Sequence, residues 1–145
     1  MADMKPRVLF VCTHNAARSQ IAEALLRHYA GERFEVLSAG VAPTAVHPLT
    51  CQVLTEIGLD LSELYAKSPD DFFPRVSIAY AIIVCDQAKD GCPRLFPFEL
   101  QTLHWPFDNP TQAEGSTMER LRTFRTVRDQ IERRIRAWLG SLEDI

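Results

Sequence analysis

The sequence predicts an α/β chain, a four-stranded parallel, doubly wound sheet flanked by helices, in a single domain over residues 1–145. Strand-like and helix-like stretches alternate, the pattern of parallel strands joined by helical crossovers. Residues 78–84 form the most continuous apolar run, as expected of a strand buried on both faces. A second short apolar run, 8–11, leads through a small polar loop into an amphipathic helical period.

Strand one spans about residues 7–11 and helix one about 17–30, with Ile21, Leu25 and Tyr29 on one face. Residues 34–38 make strand two, closed by Ala39 and Gly40. Pro48 opens helix two, whose apolar stripe is Leu49, Val53, Leu54 and Ile57, and Gly58 stops it at the C′ position. Residues 59–77 read as loop with a short helix around 69–73. Strand three ends on Cys85, and residues 101–105 form strand four, followed by a proline-bounded loop from Pro106 to Pro110. The last helix covers about 118–139, with Met118, Leu121, Phe124, Val127, Ile131, Ile135 and Trp138 or Leu139 on its buried side.

Composition is that of an ordinary globular protein, 46% apolar and 24% charged, and the length allows a proper core. A net charge of −3 gives no general pull toward nucleic acid or acidic membranes. No apolar run is long enough to span a bilayer, and the N-terminus lacks a signal-peptide core, so a cytoplasmic location is expected. The last helix carries Arg120, Arg122, Arg125, Arg128, Arg133, Arg134 and Arg136. A nucleic-acid footprint is one reading, but a solvated face fits an acidic chain better.

Chemistry concentrates at residues 12–20. Cys12 ends the first strand; Thr13, His14, Asn15, Ala16 and Ala17 form a loop; Arg18 and Ser19 open the helix. Backbone N–H groups of such a loop, together with a helix N-terminus, make a nest for an oxyanion. Arg18 adds a planar, two-toothed donor. A helix N-terminus and a neighbouring arginine favour the thiolate of a central cysteine. The alternative is a buried structural cysteine beside a helix-capping serine, and a Cys-x5-Arg spacing alone does not discriminate. Its position between an apolar strand and a helix does.

Three further cysteines are Cys51, Cys85 and Cys92. Cys51, inside helix two, reads as an inert small residue. Right-handed crossovers bring the ends of strands one and three together, so Cys12 and Cys85 are expected to be neighbours. Structural zinc at Cys85 and Cys92 is disfavoured, because seven residues separate them and no His-x3-5-His accompanies them.

The loop from Cys12 to Gln20 resembles the phosphate-binding loop of low-molecular-weight protein tyrosine phosphatases and of the arsenate reductases built on the same fold, and in its details is closer to the reductases. The resemblance runs from Val8 to about Leu139 and includes Ser38-Ala39-Gly40, Glu56-Ile57-Gly58, Cys85 to Pro93 and His104-Trp105. It implies a flavodoxin-like strand order 2-1-3-4, with no cofactor and no metal. It implies arsenate as substrate, with phosphate or sulfate as competing oxyanions, and no nucleic-acid or membrane partner. Residues 13–18 would hold the oxyanion, Ser19 would donate to the Cys12 thiolate, and Asn15 would fix the loop, asparagine tolerating a left-handed backbone. Cys12, Cys85 and Cys92 would form a thiol relay regenerated by thioredoxin or another dithiol reductant.

Two positions depart from the family pattern. The family's acid precedes the proline of the fourth-strand loop; here that position is Asn109, and the nearest carboxylate is Asp108. The expectation is that Asp108 substitutes through a shifted loop as a catalytic residue; the alternative is that the enzyme works without the acid. The loss weighs against the runner-up, a phosphatase, which must expel an alkoxide or phenoxide. Some relatives also hold potassium beside the loop through an asparagine, a glutamate, a serine and an aspartate. Asn15, Glu23 and Ser38 match, but the aspartate's place falls on Lys67, whose ammonium would take the cation's role. A non-catalytic arsenic- or redox-sensing module is the third reading.

Overall fold

The computed structural model describes residues 5–68, 77–86 and 99–143. The elements are β1 (Arg7–Cys12), α1 (Arg18–Ala30), β2 (Glu35–Gly40), α2 (Pro48–Thr55), β3 (Ile78–Ile83), β4 (Glu99–His104) and α3 (Thr117–Glu143), with a 3₁₀ turn at Pro110–Gln112. The expected short helix around 69–73 and Cys92 lie outside the described residues. All strand pairs are parallel and the order is β2-β1-β3-β4, as expected.

Alternation along β1 explains the layering. Val8, Phe10 and Cys12 join the larger core, which takes in Ile21 and Leu25 of α1, Val53 and Leu54 of α2, and Phe124, Ile131 and Ile135 of α3. Leu9 and Val11 face the other way and pack with Ala39, Ile78 and Ala81. Trp105, just past β4, lies 6.2 Å from the Phe10 ring and 5.8 Å from Trp138, closing the larger core near the sheet's carboxyl end. No helix among the described residues is long and apolar enough to cross a membrane.

Three apolar assignments differ from expectation. Tyr29 is 40% exposed because it sits at the rim between helices, its hydroxyl donating to Glu132 (2.6 Å) and its ring under the Arg136 guanidinium. Ile57 is exposed because α2 stops at Thr55, and Gly58 takes its left-handed turn (φ +79°) after one further turn of chain. Met118, in the first turn of α3, is also exposed. The arginine face of α3 is partly structural: Arg125 grips both carboxylate oxygens of Glu56 and Arg128 donates to Glu56 and to the Val53 carbonyl, tying α2 to α3. These guanidinium bonds hold the Glu56 carboxyl below the usual carboxylate range.

Candidate active site

The carboxyl ends of β1, β2 and β3 meet where ligands bind in open α/β sheets. β1 stops at Cys12 and α1 starts at Arg18 without a side-chain cap and with no acidic residue in its first turn. Its terminal N–H groups and positive dipole end therefore stay available for an anion. Cys12, His14, Ala16, Ala17, Arg18, Asn109 and Thr111 line one small cavity.

Cys12 is free and 2% exposed, and its sulfur has two hydrogen-bond partners. Asn15 N–H reaches its Sγ at 3.3 Å and the Ser19 hydroxyl lies 2.8 Å away. Asn15 Nδ2 donates to Ser19 Oγ (2.7 Å). Ser19 keeps its own hydrogen and a second lone pair, so it can donate to a Cys12 thiolate or accept from the thiol. Asn15 has φ of +54°, the left-handed conformation expected of it, and is fully buried. Arg18 is 3% exposed, and its guanidinium is anchored by the Phe107 carbonyl at 3.1 Å.

Behind the loop lies a buried polar chain. Asn15 Nδ2 also donates to Ser38 Oγ (3.0 Å), and Ser38 donates in a very short bond to Glu23. Glu23 receives Arg27 at 2.6 Å and the Lys67 ammonium at 3.3 Å. Lys67 is 3% exposed, donates to the Tyr65 carbonyl (2.6 Å) and has its backbone N–H on Asn15 Oδ1 (2.8 Å). The four residues singled out from the sequence are thus one connected group, with a lysine ammonium on the carboxylate.

Cys85 lies just beyond β3. The Val84 N–H bonds the Val11 carbonyl (2.9 Å), extending the β1–β3 ladder and bringing Cys85 to the strand end beside Cys12. Cys85 is fully buried and disulfide-bonded, and its carbonyl is bridged to His104 Nε2 at 3.1 Å. Cys51 is a free, half-buried thiol on α2. In the fourth-strand loop Asn109 lines both the Cys12 cavity and an adjoining one, while Asp108 is exposed and lines only the adjoining one, with Asp86, Phe107 and Thr123. The Asn109 side-chain oxygen Oδ1 accepts from Thr111, through its N–H (3.1 Å) and its hydroxyl (2.7 Å). Thr111 and Gln20 were not singled out from the sequence; Gln20 sits inside the loop motif, and Thr111 carries no signal of its own.

Residues 7–144 match the model of the low molecular weight phosphotyrosine protein phosphatase family. An arsenate reductase of Halalkalibacterium halodurans is 36% identical over 92% of this chain and 95% of its own length. The thioredoxin-dependent arsenate reductase of Corynebacterium glutamicum superposes with a TM-score of 0.72 at 35% identity, covering 99% of this chain; this chain spans only 64% of that one. An arsenate reductase solved in a phosphate-binding state gives a TM-score of 0.72 at 27% identity, over 95% of this chain and 98% of that one. The chain belongs to the low-molecular-weight phosphotyrosine protein phosphatase family, in company with its arsenate reductases.

Proposed function

We propose that the chain reduces arsenate to arsenite through a relay of Cys12, Cys85 and Cys92. The observation that carries this reading is that the carboxyl ends of the two central strands bring a free, doubly hydrogen-bonded Cys12 beside a disulfide-bonded Cys85. The loop amides and Arg18 hold the oxyanion, and the Cys12 thiolate attacks arsenic(V), displacing hydroxide or water. Cys85 thiolate then attacks Cys12 Sγ. The sulfur–arsenic bond breaks with its electron pair left on arsenic, which departs as arsenite, and a Cys12–Cys85 disulfide forms. Cys92 attacks Cys85, returning Cys12 as a thiol and leaving a Cys85–Cys92 disulfide for thioredoxin or another dithiol to reduce.

Asn109 cannot transfer a proton, and Asp108 does not line the Cys12 cavity, so we read the reaction as running without the family's acid rather than through Asp108 as the sequence suggested. A monoesterase must protonate a departing alkoxide or phenoxide, whereas a protonated arsenate already carries exchangeable protons that can leave with its oxygen as water, which favours reduction over phosphomonoester hydrolysis. Lys67 supplies a fixed positive charge beside Glu23, so activity is expected to be equal in potassium and sodium salts; marked activation by potassium contradicts this role. We place the protein in the cytoplasm, where a thiol cycle can be sustained.

Arsenate-dependent NADPH consumption with thioredoxin and thioredoxin reductase tests the reading. Wild type should turn over repeatedly and Cys92→Ser should stop after about one arsenite per chain, because its Cys12–Cys85 disulfide has no internal route out. Hydrolysis of p-nitrophenyl phosphate at rates rivalling arsenate turnover would instead favour a phosphatase.

A further inference from the structure

The oxyanion nest is shaped from behind. A trans peptide is planar, so its N–H points opposite to its C=O, and whatever binds the carbonyl of one residue aims the N–H of the next. Every carbonyl from Thr13 to Ala17 is bound. Thr13 accepts from Ala42 N–H (2.8 Å), His14 from Thr44 N–H (3.1 Å) and Ala17 from Ile21 N–H (2.8 Å). The Asn15 carbonyl accepts from Gln20 Nε2 (2.9 Å). The Ala16 carbonyl takes two donors, His47 N–H at 3.0 Å and Thr50 Oγ1 at 2.9 Å. The consequence is visible at one peptide: with the His14 carbonyl held from outside, the Asn15 N–H reaches Cys12 Sγ.

We propose that Thr50 and Gln20 are positioning residues, whose side chains turn the Ala16–Ala17 and Asn15–Ala16 peptides so that the Ala17 and Ala16 N–H groups face a bound tetrahedral oxyanion. Both side chains are fully buried. Thr50 stands on the first turn of α2, whose N-cap His47 supplies the second donor to the same carbonyl. The segment from Ala42 to Thr50 is therefore a back wall for the nest. The nest is built before the ligand arrives, and the anion need not pay for turning peptides. The inference rests on residues 13–18 binding an oxyanion, the reading proposed for them, but on no step of the redox relay.

The test uses inorganic phosphate as the probe and reads its protection of Cys12 from iodoacetamide, followed on the Cys12 peptide by mass spectrometry. Thr50→Val removes the hydroxyl with little change of shape. It should raise the half-protecting phosphate concentration about fivefold to tenfold, the scale of one lost hydrogen bond. Thr50→Ser, which keeps the hydroxyl, should restore it to within about twofold on the same scale. The pH profile of alkylation without phosphate should be unchanged in both, because Asn15 N–H and Ser19 still hold the sulfur. Should Thr50→Val not fold, Gln20→Met removes the donor to the Asn15 carbonyl, together with its approaches to Asn15 Oδ1 and the Tyr65 carbonyl (each 2.9 Å), with the same expected loss. Unchanged phosphate protection in the valine or methionine variant, or a serine variant as weak as the valine one, overturns the proposal. Failure of phosphate to protect wild-type Cys12 overturns it together with the oxyanion reading, so the two failures are distinguishable.

Discussion

Cys12 and Cys85 close adjacent parallel strands, both buried, yet their surroundings are opposite in kind. Cys12 meets an uncapped helix N-terminus, the Arg18 guanidinium, the Asn15 N–H and the Ser19 hydroxyl. Cys85 is succeeded by Asp86, has the exposed His104 on its carbonyl, and is already disulfide-bonded. The same place in the fold therefore offers two chemistries. The segment that leaves the strand decides whether its cysteine is a nucleophile or an exchange partner.

The largest test of that contrast replaces each cysteine in turn. Cys12→Ser should abolish arsenite formation, by about a thousandfold or more, because a serine hydroxyl is neither an adequate nucleophile here nor able to form a disulfide. Cys85→Ser should abolish arsenite release as fully but leave phosphate protection of Cys12 unchanged. If Cys85→Ser also loses phosphate affinity, Cys85 belongs to the anion site and the contrast fails.

A smaller effect sharpens the rigidity of the Cys12 side. A Cβ on Gly40, at the end of β2, would stand 2.6 Å from Asn15 N and 2.8 Å from the Thr13 carbonyl. Gly40→Ala should therefore destabilise the fold by about 1–3 kcal/mol, the usual scale of overpacking, and weaken phosphate binding as the loop shifts. Unfolding in urea and the Cys12 protection assay measure the two. A loss of stability with phosphate affinity intact would mean that the strain is absorbed away from the loop.

The smallest effect concerns pH. His47 caps α2 by accepting Leu49 N–H on Nδ1 (3.0 Å), which requires a neutral ring, and burial with the Arg120 charge pushes its pKa below the ordinary histidine value. The unfolded chain then takes up the proton at higher pH than the folded one, so stability is complete above about pH 6.5 and declines below it. The decline ends once the folded ring is protonated too. His47→Asn keeps a capping oxygen without the titration, and its unfolding midpoint should fall less between pH 7 and pH 5 than that of wild type. Equal declines would remove His47 as the cause.

Much of this was legible in the residues. Alternating strand and helix signals gave the sheet order once the resemblance was recognised, and Cys12, Asn15, Arg18 and Ser19 fall where their spacing implied. The Asn15–Glu23–Ser38–Lys67 group was legible only by likeness to relatives, since its members are far apart in the chain. The back wall of the nest was not legible. Ala42, Thr44 and His47 act through backbone N–H groups, which leave no mark on residue identity, and Thr50 looks like any polar residue in a helix. Tyr29 and Ile57 were misplaced because periodicity marks a face but not how far the neighbouring element covers it.

The most direct measurement is a single turnover of fully reduced protein with one equivalent of arsenate and no external reductant, quenched with iodoacetamide and mapped by peptide mass. The relay predicts about one arsenite per chain, Cys12 recovered as the alkylated thiol, and Cys85 and Cys92 joined in a disulfide, as exchange through Cys85 requires. Arsenite released with Cys85 and Cys92 both alkylated and Cys12 left oxidised would contradict it.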